Sequence, residues 1–149
     1  MLAGIGERAF VDIDSLLRPV YGHAKQGASF GHTKIAGKQV LRKGLSPLVT
    51  TISTPTAAPV ISGIRLRAGR AGSGRGAGSM VTEAVNTAKA AGATNILVRG
   101  DAAYGNQAVI GAALRARVEF SVVLTKNSSV NRAIGSVYRR HRLGAGGGR

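Results

Sequence analysis

Three of the six Asp and Glu residues in this 149-residue chain stand where they could act on a cation. Asp12 and Asp14 lie two residues apart in "AFVDIDSLL" (9–17), and Asp101 closes "NILVRGD" (95–101). Side chains alternate along a strand, so Asp12 and Asp14 share a face, with Cα atoms roughly 7 Å apart. A carboxylate in an apolar strand costs free energy unless it is paired or binds a metal. One of the two could cap a turn or pair with a nearby Arg. The second site, Asp101, points to other chemistry, because ligands of open α/β sheets gather at the carboxyl ends of parallel strands. Carboxylates on two neighbouring strands could hold two Mg²⁺ ions about 3.5–4 Å apart, suited to attack on a phosphodiester. Oxygen ligands favour Mg²⁺ or Mn²⁺ over Zn²⁺.

Other residues offer less. "GSGRGAGS" (72–79) has no following Lys-Ser/Thr and reads as a flexible Gly-rich link rather than a phosphate loop. "GIGERA" (4–9) follows no strand. His23, His32 and His141 lack metal-ligand spacing, and Ser15, Ser29 and Ser73 lack a nucleophile-elbow context. Glu83 falls on the solvent face of an expected helix. Glu119 opens a strand, with Arg115 or Arg117 as its expected partner.

Against these six acids stand 21 Lys and Arg, a net charge of +15. Such a chain repels itself and is drawn to polyanions, DNA or RNA first. Lys25, His32, Lys34, Lys38, Arg70 and Arg75 are candidate phosphate contacts. No apolar run approaches the length of a membrane span, and the N-terminus lacks the pattern of a signal peptide. With no Cys to form disulfides, a cytoplasmic protein without a membrane partner is expected.

The elements that must position these residues follow from periodicity. An apolar fraction of 44% supports a core of Val, Ile, Leu and Ala. Residues 9–17 read as a buried strand ended by Arg18-Pro19, and 20–40 as a basic, loop-rich stretch. Two further strands, 45–54 and 60–69, form a hairpin about "TPTAAP" (54–59). In the latter strand, Ile64 and Leu66 face one way and Arg65 and Arg67 the other. Helical spacing predicts a helix over 80–91, then a strand (95–101), a helix (106–118) and a strand (119–126). An α/β fold with a mixed sheet follows, antiparallel first and parallel later.

These stretches resemble DDE-type insertion-sequence transposases. The matching segments are "FVDIDSLLRPVYGHAKQGASFGHTK" (10–34) and "NILVRGDAAYGNQAVIGAAL" (95–114), and similarity runs from about Ala9 to Ser136. The resemblance implies an RNase H-like core of three antiparallel strands followed by helix-strand-helix-strand, incomplete at its C-terminal end. Asp14, in "DSL", matches the first catalytic carboxylate, although Leu16 replaces the usual Thr or Ser; Asp12 is the other candidate. Asp101, in "RGDAAYG", matches the second, with the Gly and the aromatic transposed. The implied activity is metal-dependent DNA cleavage and strand transfer, with two Mg²⁺ or Mn²⁺ ions. The implied partners are transposon ends, target DNA and further copies of the chain.

The resemblance also sets out what is missing. The family's third carboxylate is a Glu on a helix past the last strand, and the chain is expected to end before reaching it. The N-terminal DNA-binding segment that usually precedes the core is likewise expected to be absent. A truncated fragment with little catalysis of its own is expected, in three parts: a lead-in (1–8), a partial core (9–136) and a disordered Arg/Gly-rich tail (137–149). That tail is either a solvated basic extension or an out-of-frame sequence. The alternative function is a non-catalytic basic nucleic-acid-binding module whose acids serve structure.

Overall fold

The central strand β1 (Ala9–Ser15) owes its place to alternation. Ala9, Val11 and Ile13 are buried, while Phe10, Asp12 and Asp14 take the opposite face. In this computed structural model, which describes residues 2–144, β1 lies in the middle of a five-stranded sheet. β5 (Leu48–Thr54) pairs antiparallel with it on one side and carries β6 (Ala57–Arg65), also antiparallel, at the edge. On the other side β7 (Ile96–Gly100) and β8 (Glu119–Val122) run parallel to it. The mixed sheet expected from the sequence, antiparallel first and parallel later, is the one observed, and it is compatible with an RNase H-like fold.

Helices α1 (Ala77–Ala90) and α2 (Gln107–Ala116) pack against each other on the face lined by Val11 and Val98. α1 buries Met80, Val81, Ala84, Val85 and Ala88, a 3–4 spacing, and α2 buries Val109, Ala112 and Ala113. The small alanines let the helices approach closely. Each buried Val contributes on the order of 1.5–3 kcal/mol relative to exposure. Asn106 caps α2, its side chain accepting from the amides of Ala108 and Val109.

The structure departs from the sequence reading in five places. The stretch read as loops belongs to a second, three-stranded sheet: β2 (Arg18–Pro19), β3 (Ser29–Ile35) and β4 (Lys38–Leu45), in the order β2-β4-β3. Its glycines mark a tight turn at Ala36-Gly37, both with positive φ, rather than an open loop. The "TPTAAP" turn shrinks to residues 55–56, since Pro59 sits in edge strand β6, where a missing N–H costs no ladder bond.

The Gly-rich link is ordered by Arg67, which is buried. Its guanidinium donates to the carbonyls of Ser46, Gly72, Ser73 and Arg75, and α1 begins inside the link at Ala77. The lead-in belongs to the core through buried Ile5, and the Ala3 carbonyl accepts from Thr54 Oγ1. Finally, α3 (Ser128–Gly144) runs through the first part of the expected disordered tail, whose remainder, 145–149, lies outside the described residues. Val130, Ile134 and Val137 give α3 the apolar spacing that the Arg-rich composition obscured.

Candidate functional site

β1 and β7 run parallel with a constant offset: Ala9 faces Ile96, Asp12 faces Arg99, and Ile13 faces Gly100. One residue past that last pair stand Asp14, near the end of β1, and Asp101, just after β7. The sequence separation of 87 residues (101 − 14) is thus the ladder offset itself (99 − 12). Both aspartates are exposed and line one open cleft of about 500 Å³ with Asp12, Arg99 and the end of β8.

The three carboxylates differ in what they touch. Asp12 is engaged on both oxygens by the Arg99 guanidinium, at 2.7 and 2.8 Å, and Arg99 also lies over the Phe10 ring, 4.2 Å from its centroid. The hydrogen bond to Asp12 pushes the Arg99 pKa further above its ordinary value. Asp14 accepts only from the Ser15 amide, 2.7 Å, through Oδ1. Asp101 accepts only from the Ala103 amide, 2.9 Å, again through Oδ1. Among the described residues, Oδ2 of each has no protein partner. Two carboxylates with free oxygens and no nitrogen or sulfur ligand beside them suit a hard divalent cation.

A buried tyrosine joins the two strand ends. Tyr104, three residues after Asp101, donates its hydroxyl to Ser15 Oγ at 2.7 Å, one residue after Asp14. Burial pushes the Tyr104 phenol above its ordinary pKa; the Ser15 bond and Arg67 oppose that shift, while Asp14 and Asp101 add to it. Gly105 lets this loop close on β8, since a Cβ there would sit 2.1 Å from the Val123 carbonyl oxygen.

A model of the transposase DDE domain, group 1, matches residues 6–144. The chain belongs to this DDE transposase family. No curated protein matches it. Membership assigns a transposase-like function in transposition, with DNA as the general substrate and divalent metal ions in general use across the family. Within this transposase chain no Asp or Glu follows Glu119. Past the last strand the chain forms α3 (Ser128–Gly144), which carries no Asp or Glu. Among the described residues no three His, Asp or Glu side chains gather into a metal-holding group.

The expected phosphate contacts separate into groups. His32 and Arg70 line one cleft of about 450 Å³ between the β3–β4 hairpin and the loop at 69–73. Lys34 and Lys38 lie near the hairpin tip, Lys25 in the exposed loop before β3, and Arg75 beside a different cleft. Three further cations are engaged within the protein: Arg67 by carbonyls, Arg99 by Asp12, and Arg65 by Ser79 and Glu83. Glu119 pairs with Arg8, not with Arg115 or Arg117. Among the described residues no helix is long and apolar enough to cross a membrane.

Proposed function

We propose that this chain is a DNA-gripping transposase core in which Asp14 and Asp101 hold a divalent cation, Mg²⁺ or Mn²⁺, at a DNA phosphate. The observation that supports the reading is the ladder whose last pair, Ile13 and Gly100, directly precedes these two residues, each with an oxygen to spare. Such a cation, when bound, neutralises phosphate charge and acidifies a nucleophilic water or hydroxyl. The protein's own part is to orient. The Ser15 and Ala103 amides fix one oxygen of each carboxylate, and the Tyr104–Ser15 bond keeps the strand ends together. Asp12 is spent on Arg99 and serves as a brace rather than a ligand.

A two-ion site needs a further carboxylate, and among the described residues no third ligand completes a metal-holding group, so we assign these residues binding of DNA and metal without strand cleavage of their own. A non-catalytic basic module is the second reading, and the structural use of Asp12 favours it. Mn²⁺ titration calorimetry separates the two readings. Asp14→Asn and Asp101→Asn are each expected to weaken binding at least about tenfold. Unchanged binding in both variants would leave the basic module as the function.

A further inference from the structure

We propose that the cleft between the β3–β4 hairpin and the 69–73 loop receives an unstacked nucleobase from a single-stranded DNA end. The inference rests on the DNA-handling reading above and adds the form of DNA that is recognised. The cleft, about 450 Å³, has the size of an ordinary small-ligand pocket. Its floor is backbone: a Cβ at Gly31 would fall 2.1 Å from the Gly69 carbonyl oxygen, and one at Gly69 would fall 2.2 Å from that of Ser29. The Arg70 amide donates to Ser29 Oγ, which fixes the loop against β3.

The antiparallel register pairs His32 with Leu41 and Phe30 with Lys43 on the hairpin face opposite Gly31, so Phe30, His32 and Leu41 rim the cleft rather than cover its floor. Phe30 is 60% exposed and Leu41 54%, an unusual use of apolar surface on so basic an element. The Arg70 guanidinium has no protein partner among the described residues, and no Asp or Glu lines the cleft. A ring and an aliphatic side chain beside a free cation are the elements of sequence-tolerant single-strand binding, base on ring and phosphate on Arg. A base stacked within a duplex cannot reach such a slot.

Position supports the same ligand. Ser15 lines this cleft and Asp14 lines the carboxylate cleft, so adjacent residues of β1 separate the two. A strand whose phosphate lies at Asp14 and Asp101 delivers its neighbouring nucleotide toward Phe30. The absence of any acid between Asp14 and Glu83 argues for an anionic partner over a protein surface.

The test uses the full chain and fluorescence anisotropy at fixed salt. The probes are a duplex with a short single-stranded overhang and the same duplex with an abasic overhang, equal in phosphate number. The intact overhang is expected to bind about ten- to a hundredfold tighter. Phe30→Ala should abolish that difference while leaving abasic binding unchanged. Phe30→Leu, which keeps the apolar contact, should lose most of it. Equal binding of the two probes by the unmodified chain would overturn the proposal, as would equal weakening of both by Phe30→Ala. A Phe30→Ala effect on self-association in sedimentation, with DNA binding unmoved, would assign the cleft to a second copy instead. Failure here leaves the Mn²⁺ test of Asp14 and Asp101 untouched, since that test reads different residues with a different probe.

Discussion

Between Asp14 and Glu83 the chain carries ten Lys and Arg and no acid, and the whole three-stranded sheet lies in that stretch. The five-stranded sheet instead brings Asp12, Asp14 and Asp101 to the ends of β1 and β7. The two sheets also cohere differently. The larger is held by buried Val, Ile, Leu and Ala against two helices. The smaller has few buried side chains and docks through backbone contacts at Gly31, Gly44 and Gly69. One sheet is a rigid frame for carboxylates, and the other is a charged arm fastened to it at a few points. Acidic and basic side chains are thereby separated within one small core.

The largest effect is expected where the arm is fastened. Gly31→Ala forces a methyl group against the Gly69 carbonyl and should cost about 1–3 kcal/mol. In hydrogen exchange the amides of β3 and β4 should lose protection while those of β1, β5 and β7 keep theirs. Equal loss in both sheets would mean that they unfold as one unit and would break the contrast.

A smaller effect is expected at the clasp between strand ends. Tyr104→Phe removes the hydroxyl given to Ser15 and should cost about 0.5–1.5 kcal/mol. The folded-state pKa of Tyr104 is raised, so its contribution is full below the ordinary tyrosine value of about 10 and is lost as pH rises through the folded value. Denaturant titrations at increasing pH should show a steeper alkaline decline in the native chain than in Tyr104→Phe. Identical declines would remove Tyr104 from the account.

The smallest effect is expected at Asp12. Its pair with Arg99 is partly solvated, so Asp12→Asn should cost less than about 1 kcal/mol in thermal unfolding and leave Mn²⁺ affinity unchanged. A tenfold loss of affinity would make Asp12 a ligand and reverse the roles of the two neighbours.

Much of the larger sheet was legible because its strands are apolar and alternate or run continuously. Asp14 and Asp101 were legible as strand-end carboxylates, and their separation of 87 residues held more than was first read from it. Aligned at that offset, "VDID" (11–14) and "VRGD" (98–101) set Arg99 against Asp12. The hairpin was not legible, because strands with little core to face lack apolar periodicity and Gly37 looks like loop punctuation. Arg67 was read as one side of an alternating strand and not as buried, because a buried Arg bonded to carbonyls has the same one-dimensional signature as an exposed one. Tyr104 was seen only as a motif letter, since its partner Ser15 lies 89 residues away.

The central claim is that Asp14 and Asp101, and not Asp12 or the basic arm, hold the cation. Mn²⁺ added to the ¹⁵N-labelled chain tests it most directly, through paramagnetic broadening of backbone amide signals. The account predicts that Asp14, Ser15, Asp101 and Ala103 broaden first, at low Mn²⁺, while hairpin amides stay sharp. Early broadening confined to other residues, or uniform broadening across the chain, would contradict it.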